Sequence, residues 1–253
     1  MDFDADIQEN KQLTTTEELN AIYLLGDDKC KGYEKFGVMT ITPSSIDEIG
    51  YLFKDSGQII KKGNEENWNF ISKAKHPFNA ILIVDPYLLS DTSILENNIY
   101  AILDHILPQE VSTSFDISII SNDFKGGAMN RYEMVDKKIK QIRPRLNYNM
   151  TLYYDSSKLF HDRAILTNNV FIESGAGFAL FNKNGKAKNS TTVSITYPFI
   201  NSSNPMAKEL YQDVIHRANR IHKSTIDSIW VKGQAAPKIA NSWGDGKKNR
   251  LLE

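Results

Sequence analysis

Ile81-Leu82-Ile83-Val84 is a short, unbroken apolar run that stops at Asp85-Pro86-Tyr87. A strand with no polar alternation is buried on both faces, so it demands a sheet covered by a layer on each side. A residue before proline is biased to extended geometry and proline cannot continue a central ladder, so the run ends there. Ile94, Leu95, Ile99, Ile102, Leu103 and Ile106 then recur at helical spacing as far as Pro108. Phe115 to Ile120 alternates like a strand, and Asn130 to Ile142 is an amphipathic helix with Met134, Val135, Ile139 and Ile142 inward, ended by Pro144. Further runs, Met150–Tyr154, Val170–Ile172 and Thr191–Thr196, read as strands, and Pro205 to Ile221 is the last clear helix. This order predicts an α/β domain with a mixed sheet flanked by helices.

Ahead of it, the first dozen residues are polar and acidic. Thr14-Thr15-Thr16-Glu17-Glu18 supplies hydroxyl caps and first-turn acids for a helix carrying Leu19, Ile22, Tyr23 and Leu24. Ser45 and Glu48 form a possible capping box for a second helix with Ile49, Leu52 and Phe53 on its apolar stripe. Gly57 to Asn69, rich in Lys, Asn and Glu, marks a connection to the main sheet. The division expected is an N-terminal α-rich elaboration over 1–75, the α/β domain over 76–230, and a flexible polar tail over 231–253. That tail holds Lys232, Lys238, Lys247, Lys248 and Arg250 without periodicity.

The charge balance is 30 basic against 31 acidic residues, so no global field recruits nucleic acid or anionic membrane, and any such binding is local. A lone cysteine, Cys30, excludes an internal disulfide and a cysteine-rich zinc site. The acidic start does not read as a signal peptide and no apolar run reaches membrane-spanning length, so a soluble, cytoplasmic protein is expected.

Chemistry concentrates at Phe160-His161-Asp162-Arg163. Side chains two apart on a strand share a face, so His161 and Arg163 point the same way. Imidazole serves as nucleophile or acid near neutral pH, and guanidinium matches phosphate oxygens. His161-x-Arg163 is followed after four residues by Asn168 and, six residues later, by Gly175-Ala176-Gly177-Phe178. That spacing resembles the phospholipase D superfamily, whose motif is His-x-Lys, Asp, then Gly-Ser-x-Asn. The version in the phospholipase D-like C-terminal domain of MIT-domain proteins, His-Asp-Arg with a Gly-x-Gly-hydrophobic turn, is closer still. The likeness is specific over roughly residues 150 to 200. It implies a phospholipase D-like sheet in which His161 and Arg163 are the catalytic positions, and Asn168, Ser174, Gly175 and Gly177 the ligand-binding ones. Lysine is replaced by Arg163, and the family's Asp, Ser and Asn by Asn168, Ala176 and Phe178, which removes phosphate-orienting donors.

Other groups have a functional and a plainer reading. Lys137, Lys138, Lys140, Arg143 and Arg145 would track a polyphosphate or nucleic-acid backbone if they line the path to His161, with Lys140 and Arg143 as ligand contacts; they otherwise form a solvated face with Glu133 and Asp136. Gly175-Ala176-Gly177, read as a turn leading into a helix, would offer backbone N–H groups to an anion. His76, His105, His216 and His222 read as helix-end or surface histidines. No ligand pattern calls for a metal, and no cofactor is expected.

The function expected is a phospholipase D-like module that binds a phosphate-bearing ligand (a nucleic-acid backbone, a nucleotide or a phospholipid headgroup) or serves in assembly, without efficient catalysis. The alternative is a homodimeric, metal-independent phosphodiesterase or nuclease acting through a phosphohistidine on His161, with two chains supplying two histidines. A third reading makes His-Asp-Arg structural, Asp162 and Arg163 pairing to tie strands together.

Overall fold

The structure, a computed structural model, describes residues 13, 15–25, 30–46, 53–74, 76–122, 127–155, 163–200, 205–227, 240–245 and 247–252. Thr15 caps a short helix, α1 (Thr16–Asn20), through a capping box with Glu18. Two three-residue strands, β1 (Ile22–Leu24) and β2 (Met39–Ile41), pair in parallel around α2 (Cys30–Glu34), and α3 (Pro43–Ile46) follows. The expected first helix therefore stops at Asn20, because Ile22, Tyr23 and Leu24 take partners on β2 instead. Of the second expected helix, Glu48, Ile49 and Leu52 lie outside the described residues, and Ser45 bonds back to Thr42.

The main sheet has eight strands: β3 (Ser56–Ile60), β4 (Ala80–Val84), β5 (Phe115–Ser121), β6 (Tyr148–Asp155), β7 (Ala164–Thr167), β8 (Phe171–Ser174), β9 (Thr191–Thr196) and β10 (Ala240–Gly244). Their spatial order is β10-β6-β5-β4-β7-β8-β9-β3. β4, β5 and β6 run parallel and every other pairing is antiparallel. Parallel neighbours need crossovers, supplied by a π turn leading into α4 (Ala101–Ile106) and by α5 (Ala128–Ile142). The last helix, α6 (Pro205–Asp227), lies on the opposite face.

All residues of β4 and β5 are buried, as two covered faces require. On one side Ile81, Ile83, Ile117 and Ile119 meet α4, α5 and Trp68; on the other Leu82, Val84, Ile120 and Leu166 meet Tyr211, Val214, Ala218 and Ile221 of α6. The mixed α/β sheet flanked by helices is thus the observed class.

Two boundaries differ from expectation. Residues 57–60, expected to belong to a connection, lie in edge strand β3 of the main sheet, with Ile60 fully buried against it. Residues 240–252, assigned to a flexible tail, supply β10 and a closing turn. Arg250 forms a buried ion pair with Asp116 (Nε to Oδ2, 2.9 Å), Asn249 donates to Ile81 O (3.0 Å), and Leu251 and Leu252 enter the core. The reason is the pair of polar alternates on β5, Asp116 and Ser118, which lie inside the protein and need partners. A scan for apolar periodicity misses a segment recruited by polar groups.

Candidate functional site

β4 and β7 run antiparallel with Val84 opposite Ala164, so Asp85 at the C-terminal end of β4 faces Arg163 at the start of β7. β5, parallel to β4, ends at the same side in Ser121 and Asn122. This is the point where the sheet changes from parallel to antiparallel pairing. In such sheets strand ends at a change of order leave a crevice for ligands.

Two segments build a seat for Arg163. Its Nη1 donates to Gly175 O at 2.8 Å, in the turn after β8, and its guanidinium carbon sits 5.9 Å from the centre of the Tyr87 ring. Asp85, 1% exposed, accepts from Tyr87 N (2.8 Å) and Phe178 N (2.6 Å). Burial raises the Asp85 pKa; the hydrogen bonds from Phe178 and Tyr87 and the charge of Arg163 oppose that shift. Gly177, at φ +83, lets the turn close over both groups. A Cβ there would lie 2.7 Å from Arg163 Cδ and 2.7 Å from Asp85 Oδ2. Only glycine combines that backbone with that approach.

Arg163 is left with unused donors. Its Nε is buried without a hydrogen-bond partner, and its Nη2 makes no hydrogen bond to a described residue. Asn122 Oδ1, at the same end of the sheet, is also buried and unpartnered.

The expected site residues divide sharply. His161 and Asp162 lie outside the described residues. Ser174, Gly175 and Gly177 are beside Arg163, but their polar groups serve the turn: Ser174 Oγ donates to Gly177 O (2.7 Å), and Gly177 N donates to Ser174 O. Ala176 N donates to Thr191 Oγ1 and Phe178 N to Asp85. The turn therefore spends the amides of residues 176–178 internally, and no helix follows it, correcting the expected anion cradle. Asn168 is five residues along the strand, about 17 Å away at an antiparallel rise. Its Oδ1 accepts from Asn79 N (3.0 Å) and Ala80 N (3.1 Å), and its Nδ2 donates to Asn20 and Asn79. It closes the start of β4 and is not part of the Arg163 site. Lys140 and Arg143 are at the same remote end, because α5 runs back from the end of β5 to the start of β6. Lys140 pairs with Asp136 (2.7 Å), and buried Arg143 donates to Leu107 O (2.9 Å) and Asp104 Oδ1 (2.9 Å). Neither is a ligand contact at Arg163.

Two of the other histidines are structural. His76 shares a 2.9 Å hydrogen bond with the Tyr197 hydroxyl, and His222 Nδ1 one of 2.9 Å with that of Tyr153. Burial lowers the pKa of both. Among the described residues no three His, Cys, Asp or Glu side chains are grouped to hold a metal, and no helix is long and apolar enough to cross a membrane. Asp85 and Tyr87 were missed from sequence; an acid-proline pair ending a buried parallel strand is the signal that could have marked them.

No protein-family model matches the chain, and neither does any curated protein. Among solved structures it is similar in part to polyphosphate kinase from Porphyromonas gingivalis, at 13% identity over 77% of this chain and 29% of that one, with a TM-score of 0.35. A second similarity is to TrmBL2, an archaeal chromatin protein, at 9% identity over 62% of this chain and 52% of that one, TM-score 0.28. The chain thus spans less than a third of the first and about half of the second.

Proposed function

We propose that the chain is a phospholipase D-like module that holds a phosphate-bearing ligand through Arg163, with His161 two residues earlier in the sequence as its companion. The observation that carries this reading is the guanidinium seated by Gly175, Asp85 and Tyr87 with an Nη2 that makes no hydrogen bond to a described residue. A charge-assisted hydrogen bond from such a group to a phosphate oxygen is worth about 1.5–3 kcal/mol. Turnover is not favoured, because the nearby amides that might stabilise developing charge already have acceptors.

The test is binding of single-stranded DNA and of a fluorogenic phosphodiester, in EDTA, across a salt series. Loss of a charged hydrogen-bond pair is worth about 1.5–3 kcal/mol, so Arg163→Ala should weaken binding about ten- to hundredfold. Arg163→Lys should restore the salt dependence and only part of the affinity, since ammonium lacks the planar fork. Unchanged binding by Arg163→Ala refutes the proposal. Hydrolysis that disappears in His161→Ala replaces it with the phosphohistidine enzyme.

A further inference from the structure

A separate cavity of about 550 Å³ lies at the opposite end of β7, between α6, β1 and the closing turn of the chain. Its size is that of a small-molecule pocket and far above the roughly 30 Å³ share of one water. Its described lining contains no Asp, Glu, Lys or Arg, and one histidine, His216. Five of the residues around it carry carboxamides: Asn20, Asn168, Asn169, Gln212 and Asn219.

One of these has a buried atom without a partner: Asn219 Oδ1 accepts no hydrogen bond. Asn169 is 2% exposed, and its backbone N–H reaches Thr167 Oγ1. Asn168, by contrast, is fully engaged, so the unused groups are not a general feature of this corner. Leu251 and Leu252 give the cavity an apolar wall, and Phe199 stands at its rim, 43% exposed and edge-on to Tyr211 at 4.9 Å. Its exposed surface is what the Phe199 ring can offer to another planar group.

We propose that this cavity binds a nucleobase, as the free nucleoside. A carboxamide presents a donor and an acceptor side by side, the arrangement that pairs with the adenine N6/N7 edge, and an aromatic face supplies stacking. His216 is the one described lining residue able to carry a positive charge, and with no Lys or Arg beside it the lining is poor in groups to hold a phosphate. The site is independent of Arg163, which the strand holds about 17 Å from Asn168.

Isothermal titration of the full chain with adenosine, guanosine, cytidine, uridine and adenosine monophosphate tests this. Adenosine should bind most tightly, and no more weakly than its monophosphate. Asn219→Leu should weaken it about tenfold or more. Phe199→Ala, at an exposed position that does not endanger the fold, should also weaken it, while Arg163→Ala should leave it unchanged. The proposal is overturned if none of the four nucleosides binds at millimolar concentration. It is equally overturned if Phe199→Ala and Asn219→Leu both bind as the wild type, or if the monophosphate binds tighter and Arg163→Ala abolishes binding.

Discussion

Replacing Gly177 by alanine attacks the Arg163 seat from the backbone. Two terms add. A non-glycine residue in the left-handed region costs about 1–2 kcal/mol. The new methyl also meets Arg163 Cδ and Asp85 Oδ2 at 2.7 Å each, a separation no relaxed side chain shows, so one of the two must move. If Asp85 moves, the 2.6 Å bond from Phe178 N is stretched or lost, and a hydrogen bond to a charged group is worth about 1.5–3 kcal/mol. The sum is about 2.5–5 kcal/mol. Gly63 supplies the control: it has φ +85 and open space where a Cβ would go, so Gly63→Ala should cost only the backbone term, about 1–2 kcal/mol. Urea unfolding of both variants at constant m-value measures the difference. At about 2–4 °C per kcal/mol for a chain of this size, the two should also separate in thermal melting. Arg163→Ala removes one of the obstructing atoms, so the double variant with Gly177→Ala should lose less than the sum of the single losses. Equal costs at Gly63 and Gly177, or strict additivity with Arg163→Ala, would refute the packed seat.

Asp85→Asn tests the buried charge: since burial raises the folded pKa above the ordinary 3.8, the folded state holds more proton than the unfolded one in the window from about pH 4 up to the raised value. Stability should fall as pH rises through that window and level off above it, and urea midpoints of Asp85→Asn should lose that slope; an unchanged slope assigns it to another group. Asn168→Ala strands two buried backbone donors at about 1–3 kcal/mol each, so melting temperature should fall while phosphate binding stays as in the wild type; the reverse pattern would return Asn168 to the ligand site. Arg250→Met leaves Asp116 charged, buried and short of its cation, a loss of about 3–5 kcal/mol by chemical denaturation; a loss within experimental error would mean the terminal segment is not docked.

The parts of the fold visible in the sequence are those written in apolar periodicity. Ile81 to Val84 announces a strand covered on both faces, and the inward stripe of α5, Val135 and Ile139, is where helical spacing puts it. What escaped is held by polar contacts over long sequence separations. Arg250 is 134 residues from Asp116, and nothing in a Lys/Arg-rich, Asn-rich terminus distinguishes a docked segment from a solvated one. β3 escaped because an edge strand with an exposed face needs few apolar residues; its pattern puts only Ile60 fully inside. At the site, Gly175 and Gly177 lie beside Arg163, and a glycine carbonyl, rather than the expected glycine N–H, is the group in contact.

That inversion bears on what the site can do. An anion held by a turn of free N–H groups needs donors aimed outward, whereas here residues 176–178 direct theirs to Thr191, Ser174 and Asp85. The turn contributes the Gly175 carbonyl and the end of β4 the Asp85 carboxylate, both acceptors, and what acceptors hold in place is a cation. Arg163 is accordingly oriented by a hydrogen bond to that carbonyl and by the charge of Asp85, so its orientation does not depend on a ligand. A preformed guanidinium loses little side-chain entropy when an oxyanion arrives, which favours affinity. Rate enhancement would require further donors that strengthen as charge builds on the transition state, and the turn has none left among residues 176–178. On the proposed reading Arg163 in its acceptor-built seat holds phosphate, and Arg163→Lys, which keeps the charge but loses the bond geometry to Gly175, is the variant that separates holding from mere attraction.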